Sequence, residues 1–525
     1  MDDTAILSSR CGKIWQHIGL KSHQGIDVPL FSIHTKESAG IGEFLDLIPL
    51  INWCKKNGLD VIQLLPLNDS GNDPSPYNAL SSCALNPLFL SISHLPHTES
   101  NKDLDGLLSQ LKTLTQSEKI AYEEVRQKKM QWLRLYFEKQ GAFFFKQKLF
   151  ADFVQTNPWL KPYALFKTLK DRNAHQHWLK WPEEQKKISP QAFETYLKTY
   201  ENDVQFYIFL QFLCFLQLKT VREHARAEEI LLKGDIPILI SSDSADVWNH
   251  PNFFDQRLAA GAPPDPYNMQ GQYWGFPLFN WAAMEKEGYS WWRQRLSFAS
   301  QFYDLYRIDH VVGFFRIWAI PLGESPQKGR FVPEDKALWI PQGKKLLEMM
   351  IDASSMLPLA EDLGTVPPEV RECLKELGIC GTKVIRWERR WNGDKSFIPF
   401  EEYPPLSLTC VSTHDSEPLA LWWKTNSEEV KAFAAFKHWE YTPQLTFEQR
   451  EELLRDSHHT PSFFHINLLQ EYLALFPELS WATPEEERIN IPGVVLPSNW
   501  TYRFRPSIET IAAHSELSTA LKAIL

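Results

Sequence analysis

Cysteine is sparse and scattered in this 525-residue chain: there are seven, Cys11, Cys54, Cys83, Cys214, Cys373, Cys380 and Cys410, with no Cys-x-x-Cys pair among them. That pattern excludes a disulfide framework and a thiolate zinc site, and a reducing cytosol is the expected compartment. Basic residues are outnumbered, 55 Lys and Arg against 65 Asp and Glu, for a formal net charge of −10. Nucleic acid and anionic membranes both reward clustered cations, so neither is expected as a partner. Long apolar runs are missing too. The longest, Phe206 to Leu218, is broken by Gln211 and Gln217; it falls short of the roughly 20 residues a bilayer requires and reads as a buried helix. Nothing after Met1-Asp-Asp-Thr4 resembles an apolar or Arg/Ser-rich targeting segment. Metal and phosphate signatures are lacking: there is no Asp-x-Asp-x-Asp-Gly loop and no His-Glu-x-x-His, and Gly40-Ile-Gly42 lacks the third glycine of a dinucleotide site. No metal is expected.

The chain does have 43% hydrophobic and 23% charged residues, the composition of a folded protein with ample core. Its length suits one large body with insertions or two closely joined domains. Twenty Trp is a high number; such rings serve as platforms for sugar faces and equally as core and interface packing.

Order along the chain is mostly alternation of strands and helices. Val28–Ile33 predicts a strand, Phe44–Lys56 a helix stopped at Gly58, and Asp60–Leu65 a second strand, a βαβ opening with parallel strands. Residues 102–229 turn helical and charged. Strands are predicted at Ile236–Ile240, at the run ending in Ile308, at Met356–Ala360, Thr382–Trp387 and Leu408–Ser412. Helices fall at Ser290–Ser300, Gly343–Asp352 and from Pro368 to Gly378, and a long loop spans Asp243–Trp281. This alternation predicts an α/β fold, a (β/α)8 TIM barrel with inserted, largely helical subdomains, with a doubly wound open sheet as the alternative. The expected division is 1–100, the first βα units with a substrate-binding loop; 101–230, a mainly helical insertion; and 231–525, the remainder of the barrel.

Three apolar strands of the later half end on carboxylates: Asp309, Glu361 and Asp415, each just over fifty residues after the last. In a barrel these ends converge on one mouth. Arg307 shares a strand face with Asp309 and favours its ionised form, as a carboxylate nucleophile requires; a structural Arg–Asp pair is the other reading. Glu361 follows Leu357-Pro-Leu-Ala360 with no base close in sequence, so burial and the Asp309 charge are expected to raise its pKa, as a general acid needs. Two carboxyls about 5–5.5 Å apart would serve a retaining mechanism. Asp362 alternates to the opposite face and reads as structural. Glu388 reads as a solvated salt-bridge residue, with a place in the cleft as the alternative.

Arg307-Ile-Asp-His-x-x-Gly313, Leu359-Ala-Glu-Asp-Leu-Gly364 and Ser412-Thr-His-Asp415 resemble the conserved regions of 4-α-glucanotransferases of the amylomaltase type, relatives of the α-amylases. Gly40-Ile-Gly-Glu-Phe44, Ser75-Pro-Tyr77, Gly234-Asp-Ile-Pro-Ile238 and Asn490-Ile-Pro-Gly493 match as well, so the resemblance spans nearly the whole chain. It implies a barrel enzyme without cofactor, acting on maltooligosaccharide donors and acceptors. It also implies nucleophile Asp309, acid/base Glu361 and stabiliser Asp415, with Arg307, Asp235, His310 and His414 around the donor sugar and Tyr77 and Trp274 as aromatic platforms. The chain departs from the family form at Val311-Val312 and Ser416-Glu417-Pro418, which bear on acceptor contacts and chain-length preference rather than catalysis. Transfer requires that water be excluded, a task assigned to the loop from Gly261 to Trp281. An amylase-like hydrolase and a catalytically silent glucan-binding protein are the alternatives.

Overall fold

A computed structural model describes residues 3–96, 101–264 and 269–525. Among the described residues twelve strands are formed: β1 (His23–Val28), β2 (Val61–Leu64), β3 (Leu231–Ile236), β4 (Phe254–Ala262), β5 (Gln272–Phe279), β6 (Leu305–Ile308), β7 (Ile317–Pro321), β8 (Arg330–Val332), β9 (Leu357–Ala360), β10 (Gly381–Val384), β11 (Ser407–Cys410) and β12 (Phe464–Leu468). Eight of them build one parallel sheet in the order β10-β11-β12-β1-β2-β3-β6-β9. Its outer strands, β9 and β10, meet through a parallel bridge between Leu359 and Cys380. There the Ala360 amide donates to the Cys380 carbonyl at 2.7 Å and Thr382 Oγ1 donates to the Ala360 carbonyl at 2.9 Å. The core is therefore a barrel-like, nearly closed parallel sheet with helical insertions. Strands covered on both sides read as continuous apolar runs, as Leu357-Pro-Leu-Ala360 does, with all four residues buried.

Four predicted strands move. β1 lies at His23–Val28 rather than Val28–Ile33, because Pro29 has no N–H for the ladder and Leu30–Ser32 becomes a 3-10 turn. β3 ends at Ile236, before Pro237, instead of beginning there, so Asp235 sits within the strand. β10 and β11 each start one residue earlier and finish sooner than predicted. β12 was not predicted at all. The supposed loop Asp243–Trp281 holds a short helix, Ala245–Asn249, and then β4 and β5, which join β7 and β8 in an antiparallel sheet of order β5-β4-β7-β8.

The helical stretch after residue 101 lies wholly between β2 and β3. Its last helix, Glu201–Ala227, is long and apolar enough to cross a membrane, but 78% of its most apolar window is buried inside the protein. It packs on the Leu160–Arg172 and Leu47–Lys56 helices and on β3, as expected for a core helix. A buried Arg222–Asp304 ion pair ties it to the residue preceding β6. Helix Pro368–Leu377 ends as predicted at Gly378, whose φ of 78° only glycine adopts freely.

Candidate active site

β6 places Arg307 with its side chain 13% exposed, and Asp309 follows at the strand's C-terminal end. The guanidinium is shared by three carboxylates. Arg307 Nη1 lies 2.9 Å from Asp309 Oδ1 and 2.9 Å from Asp235 Oδ2, and Nη2 lies 3.8 Å from Glu361 Oε2. β3 supplies Asp235 and β9 delivers Glu361, so three neighbouring strands put their charges on one residue. Asp235 is raised above the usual carboxylate range by burial, opposed chiefly by Arg307.

Glu361 accepts the His310 amide on Oε2 and the Leu363 amide on Oε1, each at 2.9 Å. To aim its amide this way His310 takes φ 44°, a left-handed conformation unusual for a side-chain-bearing residue. Burial pushes the Glu361 carboxyl up to about 7; Arg307 opposes this and the Asp309 charge reinforces it. The base that sequence distance seemed to deny Glu361 is thus present, supplied by the next strand, yet desolvation outweighs it. Burial also pushes the His310 imidazole down to about 4.

Asp415 follows β11. His414 Nε2 lies 3.2 Å from Asp415 Oδ2, and Asn490 Nδ2 donates to Oδ1 at 2.6 Å. Burial alone would raise the Asp415 carboxyl, but His414 and Asn490 hold it well below the usual range. The pairing in turn holds His414 above its ordinary value against burial. Tyr77 bridges the two halves of the site: its hydroxyl donates to Asp235 Oδ2 at 2.6 Å and lies 2.9 Å from His414 Nε2. Since the single hydroxyl proton goes to Asp235, the oxygen accepts from His414. Tyr77 is thus a hydrogen-bond bridge as well as an aromatic wall. Trp274 packs edge-on against His310 with ring centres 4.9 Å apart.

These residues surround a cavity of about 470 Å³ at the C-terminal ends of the parallel strands. Asp309, Glu361, Asp415, Arg307, His310, His414, Tyr77 and Trp274 line it, and Asp235 reaches it through Tyr77 and Arg307. The sequence reading missed the cavity floor. There Gln63 Nε2 donates to Asp27 Oδ2 at 2.7 Å, Lys233 Nζ bonds Gln63 Oε1, and Asp27 Oδ1 is buried with no partner among the described residues. Burial raises Asp27 to about 6 and lowers Lys233 to about 8. Lys233 shares the face of Asp235 two residues on, so correct placement of β3 would have revealed it. Asn490 was also missed as a site residue, although its motif was noticed.

Other expected residues lie elsewhere. Glu388 forms its salt bridge, to Lys383 at 3.2 Å, but at 17% exposure the pair is half-buried rather than solvated. Val311 and Val312 are core residues, 0% and 8% exposed, and do not line the cavity. Glu417 pairs with Arg488 at 3.0 Å. Of the segment assigned to exclude water, Asp265, Pro266, Tyr267 and Asn268 lie outside the described residues; Gln272, Trp274 and Phe276 line the cavity.

Carboxylates gathered with aromatic walls at the C-terminal ends of parallel strands are the equipment of an enzyme that works on glycosidic bonds. The chain belongs to glycoside hydrolase family 77, whose model, described as 4-alpha-glucanotransferase, matches residues 28–509. It is 45% identical over 514 residues to a 4-alpha-glucanotransferase of Chlamydia pneumoniae, covering 97% of each chain. Its fold is similar to amylomaltase from Streptococcus agalactiae in complex with acarbose (TM-score 0.80, 23% identity, 96% of this chain and 98% of that one). It is also similar to amylomaltase from Corynebacterium glutamicum (TM-score 0.78, 22% identity, 98% and 76%). As a member of this family it is a transferase that moves α-1,4-glucan segments between oligosaccharides.

Proposed function

We propose that the transfer proceeds by a retaining double displacement in which Asp309 is the nucleophile, Glu361 the acid/base and Asp415 the transition-state stabiliser. Arg307 engages Asp309 through Oδ1, which leaves Oδ2 to attack the anomeric carbon of the donor. As that bond forms, the glycosidic bond breaks and its electron pair stays on the departing 4-oxygen, which takes the proton of Glu361. The product is a glycosyl ester on Asp309. The 4-hydroxyl of an acceptor then gives its proton to the Glu361 carboxylate and attacks the same carbon, releasing Asp309 with configuration retained. Asp415, hydrogen-bonded to His414 and Asn490, stays anionic opposite the charge that develops on the sugar. Asp235, His310, His414 and Arg307 hold the donor sugar, and Tyr77 and Trp274 face it.

The observation that carries this reading is the contrast between two carboxylates on one guanidinium: Asp309 in direct contact with it, and Glu361 further away with its pKa raised to about 7. In the same spirit we read the nearly closed sheet as a (β/α)8 barrel, residues 101–230 as a helical insertion into it, and residues 1–100 and 231–525 as the barrel itself. The scattered buried cysteines fit a reducing, cytoplasmic setting with free maltooligosaccharides as donor and acceptor.

Incubation with maltotriose tests the reading. The expected product is a ladder of longer and shorter maltooligosaccharides plus glucose without a rise in total reducing ends. Rising reducing ends would mean hydrolysis, and unchanged sugar would mean binding alone. Asp309→Ala and Glu361→Gln are each expected to lower turnover by several orders of magnitude with the fold intact; near-normal activity in either removes its assignment.

A further inference from the structure

We infer that Glu471, on the short helix Leu469–Leu473 that follows β12, is a positioning residue that fixes the loop carrying His414 and Asp415. The inference rests on the reading of Asp415 as transition-state stabiliser. A single oxygen, Glu471 Oε1, accepts from Ser412 Oγ at 2.6 Å and from the Leu419 amide at 2.9 Å. Ser412 and Leu419 are the two ends of the excursion 412–419, so this oxygen closes its neck. The other oxygen, Oε2, pairs with Arg450 Nη1 at 3.0 Å. Glu471 is fully buried, and Ser412 and Arg450 are nearly so. A buried carboxylate is tolerated only where hydrogen bonds and charge satisfy it, and such a group, once satisfied, holds its partners in one geometry.

The same helical turn also holds the second segment that touches Asp415. Gln470 Nε2 donates to the Glu487 carbonyl at 2.7 Å. Arg488, the next residue, pairs with Glu417 inside the 412–419 loop at 3.0 Å, and Asn490 donates to Asp415 Oδ1. Glu487 is itself held by the Trp481 amide and the Tyr502 hydroxyl. Two adjacent residues, Gln470 and Glu471, therefore set the distance between the loop that presents Asp415 and the segment that orients it. None of Gln470, Glu471 and Arg450 lines the cavity, whereas Ser412 does, so an effect of Glu471→Gln on the reaction passes through the loop.

Ser412→Ala removes one of the two bonds on Oε1 with little change of volume, and Glu471→Gln removes the charge that answers Arg450. Each is expected to lower kcat on the order of 10- to 100-fold with KM little changed, since displacement of a reacting group by about an ångström costs that much. Ser412→Thr, which keeps the hydroxyl, is expected to restore kcat. In an Asp415→Ala background neither substitution should lower the residual rate further, because both act through Asp415. Crystal structures of the variants should show residues 412–419 shifted relative to β11. An unmoved loop with unchanged kcat overturns the inference, as does a full additional loss in the Asp415→Ala background. Should Glu471→Gln fail to fold, Ser412→Ala carries the test through the displacement of residues 412–419 in its crystal structure, because Ser412 itself lines the cavity. If Asp415→Ala alone leaves kcat near normal, the Asp415 assignment fails by itself; the positioning claim then stands or falls on the loop's displacement in the crystal.

Discussion

Arg307 organises the site more than any single carboxylate does. One guanidinium faces Asp235, Asp309 and Glu361, and its planar fork can serve several oxygens where a lysine would offer a point charge. Glu361 lies furthest from it, at 3.8 Å, and burial pushes its carboxyl up to about 7. A general acid works only while protonated, so kcat/KM for maltotriose should fall as pH rises above about 7, with a slope approaching tenfold per pH unit. The assignment fails if the alkaline limb lies above about pH 9. Arg307 and Asp309 could be paired from the sequence because they are two apart on one strand. The approach of Asp235 and of Glu361 to that guanidinium could not, since it depends on which strands are neighbours. Tyr77 illustrates the same limit: its ring was foreseen, but its hydroxyl's bridge between Asp235 and His414 joins residues far apart in the chain.

At the scale of elements, apolar runs revealed β2, β6 and β9, and the carboxylates that end β6 and β9 followed from them. The strands that escaped or slipped carry polar residues that find partners within the fold. β1 contains His23, Gln24 and Asp27, and β12 contains His465 and Asn467, all paired within the fold, so their patterns do not read as half-buried strands. Helix Tyr122–Phe145 makes a similar use of buried charge. Its Lys129 bonds Glu43, at the start of the turn before the Leu47–Lys56 helix, and the Leu88 carbonyl at 2.7 Å, with both charged side chains essentially inaccessible. Burial pushes the Glu43 carboxyl up and Lys129 opposes that rise, so removing the lysine leaves a buried carboxyl without its compensating cation. Lys129→Met is expected to destabilise the protein by about 3–5 kcal/mol, read as a lower urea midpoint, whereas Lys129→Met with Glu43→Gln should recover most of the loss. Equal destabilisation by the single and double variants would mean that packing, not the unpaired charge, sets the cost.

For the whole molecule, the decisive contact is the seam where β9 meets β10, because it joins the two ends of the eight-stranded sheet. Asp362, next to Glu361, faces away from the cavity and reinforces that seam: its Oδ1 accepts the Thr382 amide at 2.7 Å and its Oδ2 accepts from Arg371 Nε at 2.9 Å. Gly381 makes this approach possible, since a Cβ there would lie 2.9 Å from Asp362 Oδ1. The two contacts differ in weight. Arg371 is 44% exposed, so its ion pair contributes little, while losing the carboxylate leaves the Thr382 amide without a partner at a cost of about 1–3 kcal/mol. Asp362→Ala should therefore lower stability by about that amount and Arg371→Ala by under about 1 kcal/mol. Hydrogen exchange locates the effect: in Asp362→Ala the Thr382 and Ala360 amides should exchange faster while those of β1 and β2, on the far side of the sheet, stay protected. Uniform acceleration across all eight strands would instead show that the barrel opens as one unit and that the seam is not its weakest line.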